Sequence, residues 1–162
     1  MFKEKIIKIL NKQINEELFS SYLYLSMSSY FSSNNLDGFA KWMRIQSQEE
    51  NEHAMKIYEY ILQRDGKVVL TTIETPKAVW KSPLEAFQDA LKHEKHISSC
   101  IHKIVDLAIQ EKDHPTSNFF QWFVSEQVEE EANATNVLEK LKMIGDNKGG
   151  LFMLDRELGQ RQ

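Results

Sequence analysis

The sequence predicts an all-α chain: a four-helix bundle with a long crossover between helices two and three and a short fifth helix at the C-terminus. Three observations carry this. Four stretches place apolar residues at steps of three and four, the period of one buried helix face. The three prolines and six glycines among 162 residues fall at the boundaries of those stretches. No run alternates in the two-residue period of a half-buried strand.

Helix one is expected from about Lys3 to Ser33. Its stripe is Leu10, Ile14, Glu17, Ser21, Tyr24, Ser28, Phe31, and the polar cluster Ser32-Ser33-Asn34-Asn35 ends it. Asp37 is read as the N-cap of helix two, whose stripe is Phe39, Met43, Gln46, Glu50, His53, Ile57, Tyr60, and Asp65-Gly66 signals its end. Residues 67–82 are expected to be extended, because Val68-Val69-Leu70-Thr71-Thr72-Ile73 is β-branched and two prolines, Pro76 and Pro83, come soon after it. Ser82-Pro83 then opens helix three as cap and first residue. That helix runs to about Glu111 with the stripe Leu84, Phe87, Leu91, Glu94, Ser98, Ile101, Val105. Asp113-His114-Pro115 breaks the chain before helix four, which lasts to about Ile144 and carries Phe120, Phe123, Gln127, Glu130, Ala134, Val137, Leu141. A glycine-rich joint, Gly145 to Gly150, precedes the amphipathic segment Leu151 to Leu158. One domain over 1–162 is expected, the bundle at about 3–144 and the short helix at about 149–159.

Loop lengths set the topology. Short joints at 34–37 and 112–115 make helices one and two, and three and four, antiparallel hairpins. Helix two is roughly 40 Å long, and about sixteen extended residues reach some 50 Å. The segment 67–82 can therefore traverse the bundle, so helix three should start at the end opposite to where helix two stops.

Composition excludes several function classes. A net charge of −4, a pI near 5.8 and scattered Lys and Arg give no electrostatic footprint for nucleic acid. The single cysteine, Cys100, rules out an internal disulfide framework and a Cys-rich zinc or iron–sulfur site, and is expected to be a packed, inert thiol. The N-terminus has no signal-peptide core, and no apolar run approaches the ~20 residues that span a bilayer, so a cytoplasmic protein without a membrane partner is expected.

The polar interruptions of the stripes carry the chemistry. A carboxylate on a buried helix face costs several kcal/mol unless it is paired or binds a metal. Glu17, Glu50, Glu94 and Glu130 place one such acid on each helix, all near mid-bundle. Glu50 and His53 lie one turn apart and can reach one ion, with Glu17 opposite. Glu94 and Glu130 can hold a second ion that shares Glu50 as a bridge. Oxygen-rich ligation with a single nitrogen suits iron(II) or manganese(II) better than copper or structural zinc. Di-iron carboxylate bundles take one Glu from each of two helices and Glu-x-x-His from each of the other two. Helices one to three follow that scheme, whereas helix four has Gln127-x-x-Glu130. A tighter site at His53 and a looser one between Glu94 and Glu130 are expected.

With Glu17, Tyr24, Glu49-Glu50-x-x-His53, Glu94 and Ser125-Glu126-Gln127-x-x-Glu130 in place, the whole chain resembles the bacterial non-haem ferritins. The resemblance implies a ferritin-like fold, a homo-oligomeric 24-mer cage, and ferroxidase activity in which iron(II) is oxidised by dioxygen or hydrogen peroxide and stored as ferric mineral. It further implies a role for Tyr24 beside the centre and a third iron site from Glu49, Glu126 and Glu129 with Glu130. In related haem-binding bacterioferritins a methionine follows the bridging glutamate. Here Asn51 stands there, and no haem is expected. Asn118 and Gln121 stand where animal ferritins carry acidic pore residues, which argues against an acidic three-fold funnel. The apolar Leu151-Phe152-Met153-Leu154 is expected to dock, in the family at four-fold axes. His93, His96 and His102 are read as surface or subunit-interface residues, and Trp42, Trp80 and Trp122 as packing.

Two other assignments compete. A non-storage di-iron oxidoreductase or peroxidase of the rubrerythrin type keeps the metal pair, but such proteins usually add a Cys-x-x-Cys iron domain that one cysteine cannot build. A purely structural helical oligomer would bury the same acids at interfaces.

Overall fold

Helical periodicity becomes five helices in the computed structural model, which describes residues 1–162. They are α1 (Glu4–Ser33), α2 (Asp37–Gln63), α3 (Pro83–Gln110), α4 (His114–Ile144) and α5 (Lys148–Leu158), with no strand. Three of the helix ends share one device. Asn35, Asp65 and Lys112 take left-handed φ of 60°, 54° and 58°. The next N–H then reaches back five residues, from Leu36 to Phe31, Gly66 to Ile61 and Asp113 to Ala108. These bonds satisfy carbonyls that the helix leaves free and reverse the chain. Ser82 and Asp113 cap α3 and α4 by accepting from Glu85 N–H and Thr116 N–H.

The start of α2 differs from expectation. Asp37 is the first helical residue rather than the cap, and Leu36 at the cap position offers no side-chain acceptor. The missing acceptor comes from α5, where Asp155 Oδ1 takes the Phe39 N–H at 3.0 Å. A tertiary contact thus replaces a local one, and Gly38 makes room for it. A Cβ on Gly38 would lie 1.7 Å from the Asp155 carbonyl oxygen. Gly38→Ala is therefore expected to push α5 off the bundle and expose the start of α2. The cost should be about 2–3 kcal/mol, since a backbone clash and a lost cap act together. A guanidinium unfolding midpoint equal to the parent's would show that α5 is not docked this way.

The crossover is explicit. Asn11 donates to Lys67 O, Asn15 to Thr71 O and Thr72 O, and Ser26 to Lys77 O, at 2.6 to 3.3 Å. The segment therefore climbs alongside α1 in the same direction, and Trp80 ends it against Tyr30 with ring centroids 5.4 Å apart. α3 accordingly starts beside the C-terminus of α1 and runs antiparallel to it. α1 packs on α2 and α3, α3 on α4, and α5 on α2 and α4.

Apolar packing is divided in two. At one end Phe31, Phe39, Met43, Phe87 and Leu141 pack with Leu154 and Leu158 of α5. At the other, Ile6, Leu10, Ile57, Ile101, Phe120 and Phe123 form a second cluster. Arg64 closes that end, donating to Tyr60 Oη, both carboxylate oxygens of Asp113 and Thr116 Oγ1 at 2.8–3.0 Å. Between the two clusters lies a buried polar layer drawn from all four long helices.

Candidate metal centre

Each helix delivers its acid to that layer from the buried stripe. Glu17, Glu50 and Glu94 are each 1% exposed and Glu130 is 4% exposed. His53 is also buried, with its ring edge-on to Trp122 and Phe123 at centroid distances of 5.4 and 6.1 Å. The one-turn spacing acts as expected: His53 Nδ1 lies 3.1 Å from Glu50 Oε2 and 4.0 Å from Glu17 Oε2. Glu17, Glu50 and His53 form one group whose ligand atoms all lie within 4.8 Å of one another. Glu50, Glu94 and Glu130 form a second group with equally close ligand atoms. Glu50 belongs to both.

The layer is short of positive charge. Burial pushes the Glu17 and Glu50 carboxyls well above the usual carboxylate range, and each has a neighbouring acid that adds to the effect, Glu50 for Glu17 and Glu94 for Glu50. Burial also raises Glu94, and with Glu94 beside it raises Glu130 to about 8. Glu17 Oε2 is the one buried side-chain N or O atom with no hydrogen-bond partner. It faces His53 and Glu50. Four clustered acids, one orphaned oxygen and an imidazole fit a pair of divalent cations, which would replace the missing protons and donors.

The uncommitted oxygens are held by amides. Gln13 Nε2 donates to Glu17 Oε1 at 2.9 Å, and Gln46 Nε2 donates to Glu50 Oε1 at 3.0 Å and Glu130 Oε2 at 2.5 Å. Gln127 Nε2 donates to the carboxylate and the backbone carbonyl of Glu94, each at 3.1 Å. The Tyr24 hydroxyl donates to Glu94 Oε1, and burial followed by the Glu94 charge drives the phenol well above its ordinary range. Tyr24 and Gln127 thus aim Glu94, while Gln46 links the two halves of the centre.

His53, Glu126 and Glu130 form a third group beside the first two, their ligand atoms also within 4.8 Å of one another. Glu126 Oε1 is 3.9 Å from His53 Nε2. Glu49 is instead paired with Arg161, 2.7 Å from Nη2, and Glu129 is exposed outside these groups. Arg161 also donates to Gln46 Oε1 at 2.9 Å and covers the Trp42 ring at 4.5 Å. A groove of about 670 Å³ between α2 and α4, lined by His53, Glu49, Glu126 and Trp122, opens the centre to solvent on this side.

Trp122, expected to pack, does so against His53 and Phe123. Sequence patterning gave no role at the centre to Gln13, Gln46 or Arg161. Gln13 and Gln46 had a signal, since each stands four residues before a stripe glutamate. Arg161 had none and reaches the site through tertiary packing from beyond α5. His93 also differs from expectation: it is half-buried between α1 and α3, 2.7 Å from Ser20 Oγ, and burial lowers its pKa to about 4.

A four-helix bundle whose core is cut by two candidate metal-ligand groups sharing one glutamate has the architecture of the carboxylate-bearing helical bundles. Comparison with known proteins narrows it. The Ferritin-like domain family matches residues 7–144, and the chain belongs to the ferritin family. It is 45% identical over 161 residues to the Bacterial non-heme ferritin of Bacteroides fragilis, covering 99% of this chain and 100% of that one. With the Campylobacter jejuni protein of the same description the identity is 38% over 156 residues, 96% and 93% of the two chains. A solved structure, described as a novel open pore ferritin from the hyperthermophilic archaeon Archaeoglobus fulgidus, superposes with a TM-score of 0.99 at 51% identity, covering 100% of both chains.

Proposed function

We propose that this chain is an iron-storage ferroxidase, which binds two iron(II) ions as substrate and oxidises them with dioxygen or hydrogen peroxide. The observation that carries the proposal is the pair of ligand groups sharing Glu50, with Glu17 Oε2 left unpartnered. Two ions held side by side can each give one electron, so that dioxygen takes two electrons and two protons to become peroxide, and peroxide takes two of each to become water. Glu17, Glu50 and His53 would hold the first ion, and Glu50, Glu94 and Glu130 the second. The second group has no nitrogen, and a weaker grip on its ion suits release of oxidised iron. Gln127 and Tyr24 position Glu94 for it. The group of His53, Glu126 and Glu130, extended by Glu49 and Glu129, is the candidate third station, on the side where the α2–α4 groove opens.

Storage as ferric mineral requires an enclosed volume that one subunit does not have. Membership of the ferritin family supports a homo-oligomer, for which the resemblance to bacterial non-haem ferritins implies a shell of 24 copies, with the exposed apolar Phe152 and Met153 of α5 available for contacts between copies. A 24-mer of a 19.0 kDa subunit has a mass near half a megadalton. Light scattering is expected to give that mass. A particle the size of a dimer would overturn the storage assignment and favour the rubrerythrin-type oxidoreductase.

A further inference from the structure

Outside the centre, one other cluster gathers metal-binding donors of different kinds. On the α1–α3 face, opposite the α2–α4 groove, Glu16, His96 and Cys100 bring their ligand atoms within 4.8 Å of one another. His96 and Cys100 are four residues apart on α3 and so project from the same helix face. Glu16 reaches them across the groove from α1. A single ring nitrogen, His96 Nε2, faces both partners, 3.1 Å from Glu16 Oε2 and 3.6 Å from Cys100 Sγ. Tetrahedral zinc holds oxygen and nitrogen at about 2.0 Å and sulfur at about 2.3 Å, which sets N···O at ~3.3 Å and N···S at ~3.5 Å. The two pairs that share His96 Nε2 are already spaced as such ligands, and Glu16 and Cys100 offer ligand atoms within 4.8 Å of each other.

Neither partner is a core group. The His96 side chain is 54% exposed and that of Glu16 21%. Cys100 is half-buried, less packed than its apolar neighbours in sequence suggest. We infer that Glu16, His96 and Cys100 form a second, separate cation site on this face, selective for a borderline-soft divalent ion such as zinc(II). One thiolate, one imidazole and one carboxylate suit zinc(II), whereas the oxygen-rich bundle centre suits a harder ion. Three protein ligands leave a fourth position to water, open to solvent on the exposed side of His96. Binding forms a metal–sulfur bond, releases the thiol proton to solvent and changes no oxidation state. Burial, with Glu16 beside it, holds Cys100 above the usual thiol range, so that proton is present before the cation arrives.

Cobalt(II) tests the site, because thiolate ligation gives cobalt a sulfur-to-metal charge-transfer band and the bundle centre has no sulfur. Cobalt(II) added anaerobically to the full-length, metal-stripped protein with a phosphine reductant is expected to produce that band, saturating at one ion per subunit, and zinc(II) is expected to displace it. Cys100→Ser should abolish the band. His96→Ala should weaken cobalt binding at least tenfold, with helical circular dichroism and iron(II) oxidation both at the parent's level. Absence of the band in the parent protein would overturn the inference. So would a band that titrates identically in His96→Ala, since the thiol would then be binding alone.

Discussion

Glu50→Ala is expected to slow the initial oxidation of iron(II) by about two orders of magnitude or more, with the helical fold retained. The effect should exceed that of removing any other single ligand. Glu50 is the one acid common to both ligand groups, so its loss strips a ligand from each ion and removes the bridge that keeps them adjacent. Ligands that only orient a metal's partners already cost 10–100-fold when removed, and a bridging ligand is more central than those. His53→Ala takes the sole nitrogen from the first group and should slow oxidation in the same direction, leaving the carboxylate-only group with its own three acids. The fold should tolerate both changes. Glu50 is a buried acid whose charge is opposed by its surroundings, and truncating it relieves that penalty in exchange for a small cavity. Stopped-flow absorbance of ferric product, run in parallel with dioxygen and with peroxide, measures the rates. Parent-like kinetics in both variants would sink the assignment of the centre.

The parts of the molecule legible in the sequence are those that depend on local pattern. A helix stripe is a three- and four-residue pattern, so Glu17, Glu50, His53, Glu94, Gln127 and Glu130 could be placed on buried faces without knowing the partners of any helix. Joint lengths then set the heights at which those residues meet, and the extended composition of 67–82 was enough to cross the bundle. What escaped is contact between segments far apart in sequence. Asp37 looked like a cap because caps are usually local. Asp155 supplies that acceptor to Phe39 from 116 residues further on. Arg161 meets Glu49 across 112 residues, and no pattern in either segment encodes the meeting. The apolar neighbours of Cys100 in the third helix suggest a packed thiol, but Ile97, Ile101 and Ile104 are fully buried while Cys100 is half-buried beside Glu16. Periodicity ranks residues by face. It does not say which polar residue of a neighbouring helix stands opposite.

The centre's charge deficit predicts a pH dependence with a definite sign. Between pH 6.5 and 8.5 the metal-free protein is expected to lose thermal stability, its melting temperature falling by about 5–10 °C. Glu130 titrates near 8 in the folded chain against an ordinary value of 4.5, and Glu17, Glu50 and Glu94 are raised as well. A carboxyl that binds its proton more tightly when folded favours the folded state fully below the ordinary value. That contribution is lost as the pH climbs through the folded value. His93 works in the opposite direction. Its folded pKa of about 4 lies below the ordinary 6.5, so it favours the fold above 6.5 and progressively less below. The two effects oppose each other from 4.5 to 6.5, which is why the window above 6.5 isolates the carboxyls. Glu130→Gln should flatten the slope there, because an amide has no proton to lose. Saturating cobalt(II), added to the Cys100→Ser variant so that sulfur ligation plays no part, should reverse it, raising the melting temperature more at pH 8.5 than at 6.5. A cation binds the ionised acids, and they are ionised at least cost at the higher pH. A melting temperature that stays flat from 6.5 to 8.5 without metal would mean that the acids are already ionised and paired within the protein. The bundle would then have no deficit for iron to fill.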